Sequence, residues 1–206
     1  MKITNLKKYT KEQMIKKLKK VILLNSDKNK RPIFIYKDSE IDLERVRIKD
    51  LFPLQLYELT PSAKLVGSLH ENFSKKYKEN ILEMNGYFTY KSGDKRYALI
   101  PPIIEDVKGQ KIIIDGLHRI LLAKKLKKQI ITVVLIKNIP EKLILPVGPN
   151  KWEELKVVKI APDNKDKRKW LIPPEKGYLY YRNYQSVFQN VGKPRASSVD
   201  KKLQTV

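Results

Sequence analysis

The chain has 206 residues, 41% of them hydrophobic, with no cysteine and a formal net charge of +22. That length and apolar content suit one domain with appendages, or one domain and a small second one, and exclude a wholly disordered polypeptide. The missing cysteines exclude disulfides, thiolate metal sites and a cysteine nucleophile.

The charge divides unevenly. Residues 1–30 carry 10 basic and 2 acidic groups, residues 31–100 carry 12 and 10, residues 101–145 carry 9 and 4, and residues 146–206 carry 13 and 6. Both ends and the neighbourhood of residues 101–145 are therefore basic, and the stretch before them is nearly balanced. Such a surface attracts nucleic acid non-specifically. Of the 44 basic residues 36 are lysine, which is also what an AT-rich coding sequence gives, so charge alone does not identify a partner. No apolar run approaches the length of a membrane span, and the basic residues 1–20 lack the apolar core of a signal peptide. A cytoplasmic protein with no membrane partner is expected.

In chain order, Thr10 and Gln13 form a capping box that predicts an amphipathic helix to about Leu24, with Met14, Ile15, Leu18, Val21 and Ile22 on one face. Its lysine face suits either solvent or a polyanion. Residues 32–36 predict a short strand, and the alternation over residues 45–51 predicts another, ended by Pro53. Thr60 followed by Pro61 predicts a helix start with Thr60 as cap, running to about Asn72. Residues 97–104 are apolar but interrupted by Pro101 and Pro102, which suits an edge or a bulge. Lys108, Gly109 and Gln110 predict a hairpin turn into the apolar run of residues 111–114.

Asp115, Gly116, Leu117, His118 and Arg119 follow that run and precede an amphipathic stretch from Ile120 to Leu126, then a second apolar run at residues 130–136. This is a strand, a tight turn, a helix and a strand. The turn sets an acid, a glycine, an imidazole and a guanidinium around a helix N-terminus, where unpaired N–H groups and the dipole favour an anion. Gly116 permits close backbone approach to a ligand, and Arg119 can fork onto phosphate oxygens. The plainer alternative is an ordinary Asp-Gly turn in which His118 packs and Arg119 pairs with a carboxylate.

After Pro140 the pattern weakens into short candidate strands at residues 143–147, 155–160 and 170–172. The aromatic residues 178–184 around Arg182, with Phe188, suit either stacking on bases or core filling, and core filling is the commoner use. His70 reads as a structural or exposed residue, and residues 193–206 as a polar, disordered tail.

The apolar stretch at Pro101 to Ile104, the 112–119 run with its Asp-Gly-Leu-His-Arg turn, the following helix and the 131–135 strand resemble the ParB/sulfiredoxin superfamily. The resemblance extends back to Arg45 and covers about residues 44–138. It implies a small mixed α/β domain between an N-terminal helix and linker (1–43) and a proline-rich extension (139–192). It further implies a nucleoside di- or triphosphate, ATP or ADP, bound at Gly116, Leu117, His118 and Arg119. Sulfiredoxin activity is excluded, because Leu117 stands where those enzymes have a cysteine. ParB proteins of chromosome partitioning use an arginine-rich turn and a helix-turn-helix module, neither of which is evident here. The free serine kinase branch is nearest in motif, with Leu117 replacing a histidine and Glu58 at the place of its catalytic glutamate.

The expected function is therefore a phosphotransferase acting on a small hydroxyl-bearing metabolite such as a free amino acid. Glu58 would take the hydroxyl proton, Asp115 would hold Mg²⁺ or orient the acceptor, and His118 would contact the transferring phosphates. The rival is a DNA- or RNA-associated protein that uses the nucleotide as a switch. A two-metal nuclease is weakest, for want of clustered carboxylates.

Overall fold

The computed structural model of the protein describes residues 3–24, 32–160 and 168–191. Its elements in order are β1 (Thr4–Tyr9), α1 (Lys11–Leu18), β2 (Ile22–Leu23), β3 (Glu40–Arg47), β4 (Leu51–Pro53), β5 (Tyr57–Leu59) and α2 (Thr60–Asn72). They continue with β6 (Tyr87–Ser92), β7 (Lys95–Leu99), β8 (Ile103–Val107), β9 (Gln110–Asp115), α3 (Leu117–Lys125) and β10 (Ile130–Lys137). Last come β11 (Val147–Gly148), β12 (Lys156–Val158), β13 (Lys169–Trp170), α4 (Pro174–Gly177) and β14 (Arg182–Asn183). This is the mixed α/β fold that the order of apolar runs predicts.

The main sheet has the order β3-β10-β8-β9-β4, with β10 and β8 parallel, β9 and β4 parallel, and the other neighbours antiparallel. Its two edge strands are separated in sequence only by the 3-10 turn Ile48–Asp50. Four inter-strand spacings measure about 19 Å if flat, whereas four Cα steps reach at most about 15 Å. The sheet must therefore curl to bring its edges together.

β10 shows why this sheet has two cores. Its run is apolar on both faces, so Ile131, Val133 and Leu135 join one cluster while Val134 and Ile136 join the other. Residues of α2 and α3 (Leu69, Leu117, Ile120, Leu121) fill the first cluster together with Phe73. The second is closed by Met14 and Leu18 of α1 and by Tyr184, Phe188 and Val191 from the far end of the described chain. Tyr184 and Phe188 are thus core filler, as the commoner reading had it, and Tyr180 and Tyr181 pack partly buried against a third cluster.

The capping box forms as expected, with Thr10 Oγ1 accepting from the Gln13 N–H at 3.3 Å and Gln13 Oε1 accepting from the Thr10 N–H at 3.0 Å. The helix, however, stops at Leu18 rather than near Leu24. β-branched Val21 and Ile22 are better served extended, and Ile22 and Leu23 pair with Asn183 and Arg182 in β14. The strand expected at residues 32–36 reduces to a single bridge between Phe34 and Ile22. Thr60 lies inside α2 rather than capping it. Leu59 is the cap residue, and the Thr60 hydroxyl donates to the Val158 carbonyl at 3.2 Å. Pro101 and Pro102 separate β7, an edge strand of one sheet, from β8 of another, and the β8–β9 register shifts between Ile103 and Ile104, in keeping with the edge or bulge expected there. The 193–206 tail lies outside the described residues.

Candidate functional site

β9 and β4 run parallel and end side by side, Pro53 opposite Ile113. Ligands of open α/β sheets favour the crevice at the carboxyl ends of such strands. The turn of residues 115–119 stands there, between β9 and α3.

Gly116 is the α3 cap residue, with φ 88° and ψ 16°, and no side chain caps this helix end. The left-handed backbone favours glycine. A second reason is steric, because a Cβ here would come within 2.8 Å of Pro102 Cα and 2.7 Å of Arg119 Nη2. The glycine is thus demanded by the protein's own packing, beyond any ligand. Leu117, at the first helical position, is buried in the core.

Arg119 points inward and is 5% exposed. One terminal nitrogen donates to the Ile100 carbonyl and Nη2 donates to Asp115 Oδ2 at 3.1 Å. Burial pulls the guanidinium below the usual arginine range, against Asp115 and Tyr90, which pull it up. Arg119 thus ties the turn to the segment before Pro101. Two of its five N–H donors are thus engaged within the protein, and the side chain is held against the turn rather than free in solvent.

His118 faces β5: its Nε2 accepts from the Leu59 N–H at 3.2 Å. Glu58, the preceding residue, is 4% exposed, and its Oε1 lies 2.5 Å from Lys125 Nζ. His118 and Lys125 are seven residues apart on α3, hence on one face and about 10 Å apart along the axis. The structure therefore brings Glu58 to the helix face that carries His118, but toward its other end. Lys125 was not among the residues singled out from the sequence, although its i+7 spacing from His118 was legible there.

Asp115 is half-buried, with Oδ2 engaged by Arg119. Among the described residues no three His, Cys, Asp or Glu side chains gather as a metal cluster. A magnesium ion needs only one or two carboxylates when phosphate oxygens supply the rest, so Asp115 fits that ion only as a companion of a bound nucleotide. A two-metal nuclease centre is not formed by these residues.

A second polar network lies across the sheet, where Arg182 Nε and Nη2 each donate at 2.7 Å to the two oxygens of Glu105. The Tyr36 hydroxyl donates to the same carboxylate at 2.7 Å and lies 2.8 Å from the Tyr184 hydroxyl. Burial and then the Glu105 carboxylate push both tyrosines well above their usual range. Burial also opposes the Arg182 charge, but Glu105 overrides it and holds the guanidinium above the usual range. Sequence reasoning missed Glu105, whose partner is distant in the chain.

The model of the ParB CE domain matches residues 13–156, which include Glu58, the turn and all five strands of the main sheet. The chain belongs to the ParB CE domain family. Among solved structures, this ParB CE domain is similar to a crystal form of a Pnob8-like ParB-N domain, at 14% identity and a TM-score of 0.29. That similarity covers 52% of this chain and 33% of the other, so the ParB CE domain chain spans about a third of that neighbour's length. No curated protein matches. No helix among the described residues is long and apolar enough to cross a membrane.

Proposed function

We propose that this ParB CE domain binds a nucleoside di- or triphosphate with Mg²⁺ at the start of α3 and transfers phosphate to a small hydroxyl-bearing metabolite. The observation that carries the binding reading is the α3 cap at Gly116. It stands at the carboxyl ends of parallel strands with no side-chain hydrogen bond capping it, where the helix dipole favours an anion. Leu117 and His118 supply backbone to that turn. Arg119 acts from behind it, holding Asp115 and the Ile100 carbonyl in place. The second oxygen of Asp115 is the ligand offered to Mg²⁺. The nucleotide brings the phosphoryl group; the protein's part is to hold, orient and deprotonate.

Glu58 supports the transfer reading. It is a buried carboxylate one residue from the His118 contact and covered by one lysine. With Lys125 displaced it can accept a hydroxyl proton. The experiment is a thermal-shift titration with ATP and ADP, with and without Mg²⁺, followed by a phosphoryl-transfer assay on free hydroxy amino acids. Saturation at 100 times Kd stabilises the folded state by about 2.7 kcal/mol, and Glu58→Gln is expected to keep that shift while losing turnover. If no nucleotide moves the melting temperature, the proposal fails at its first step.

A further inference from the structure

The β6–β7 hairpin carries a feature that the turn of residues 115–119 does not explain. Lys91, Asp94 and Arg96 of this hairpin, with Gln185, Gln189 and Asn190, line an open polar depression. Its two walls are tied together, because the Ala98 N–H donates to the Gln189 carbonyl at 2.8 Å and the Asn190 side-chain amide donates to the Arg96 carbonyl. Lys91 and Arg96 stand directly opposite in the antiparallel register, and Ser92 stands opposite Lys95. Like charges facing each other across a ladder destabilise it. Neither Lys91 nor Arg96 forms an ion pair among the described residues, and Asp94 pairs with neither.

We propose that this depression is a seat for the phosphodiester backbone of a nucleic acid. The donors fit: a guanidinium forks onto phosphate oxygens, an ammonium adds a point charge, and glutamine amides donate from the opposite wall. The opening is wide and polar and presents no aromatic ring, so it suits a strand passing across it rather than a base stacked within it. Contacts of this kind hold a strand without reading its sequence. Asp94, exposed at the tip, offsets part of the positive charge and keeps the seat weak. The seat is independent of the nucleotide reading: none of its residues belongs to the turn.

The experiment measures binding of a fluorescent duplex and a single-stranded oligonucleotide to the full chain across about 50 to 200 mM salt. The double substitution Lys91→Glu with Arg96→Glu is compared with Lys19→Glu with Lys20→Glu, which makes the same charge change at exposed residues near α1. The hollow variant is expected to lose at least tenfold in affinity, with a salt slope lower by about 2, since each phosphate contact contributes about 1. The α1 variant is expected to lose less than a third of that effect. Gln185→Ala with Gln189→Ala, which changes no charge, is expected to weaken binding several-fold and serves if the charge reversals unfold the hairpin. Equal losses in the two charge variants would mean that net charge alone binds, and the seat would be refuted. It would be refuted equally if inorganic pyrophosphate bound the parent but not the hollow variant while oligonucleotide affinity stayed the same, since the hollow would then take a small phosphoester.

Discussion

Arg119 and Arg182 are both buried, yet the protein holds them in different ways. Arg182 is forked by Glu105, and the pair is 1% exposed on either side. Arg119 has one carboxylate bond, to Asp115, whose side chain is 27% exposed, and gives another donor to a backbone carbonyl. Full compensation lifts the first guanidinium above its usual range, while burial pulls the second below it. The difference separates a lock from a hinge-pin. The Arg182 network fastens the end of the described chain onto one face of the sheet. The Arg119 network holds a turn in which Asp115, Gly116 and His118 are half-buried and Leu117 is in the core.

The comparison breaks most sharply at Arg182. Removing one partner of a buried ion pair strands the other charge, at a cost of about 3–5 kcal/mol. Arg182→Ala is therefore expected to lower denaturant stability by that amount, or to leave residues 182–191 undocked and open to proteolysis. Arg119→Ala is expected to cost less, about 1.5–3 kcal/mol, because Asp115 can turn to water. A stability loss at Arg119 equal to that at Arg182 would erase the distinction, and no loss would mean that Arg119 does not hold the turn.

The turn itself was legible in the sequence. An apolar run, Asp115 and Gly116, and then an amphipathic stretch leave little alternative to strand, turn and helix, and the hairpin at Lys108, Gly109 and Gln110 was equally local. The inward direction of Arg119 was not legible. It depends on the Ile100 carbonyl, 19 residues back, which Pro101 and Pro102 bring to α3. The shorter α1 has the same cause: Ile22 and Leu23 leave the helix for a strand partner near the other end of the described chain. Glu105 and Arg182 lie 77 residues apart, with nothing in the local pattern of either to announce a pair. Periodicity reports what a residue does within a few positions; the site's side chains are directed by contacts that periodicity does not contain.

The smallest expected effect concerns the tyrosines, and it distinguishes the networks by pH. Burial, and then Tyr97, push the Tyr90 hydroxyl up to about 12 against the pull of Arg119. A phenol raised in the folded state stabilises the fold fully below its unfolded value near 10, and that contribution is lost as pH rises through about 12. By pH 11 the loss from Tyr90 amounts to roughly 1 kcal/mol. Tyr90→Phe is expected to melt like the parent at neutral pH, since among the described residues no hydrogen bond of the Tyr90 hydroxyl holds the network, and to melt higher than the parent at about pH 11. Tyr36→Phe is expected to behave differently, because it gives up the hydrogen bond to Glu105 and so loses stability at neutral pH as well. Its alkaline gain must then offset a deficit of about 1 kcal/mol. Thermal melts of both variants at about pH 7 and 11 decide the matter. Parallel behaviour of the two would show that Tyr36 is buried beside the Arg182 network without helping to hold it.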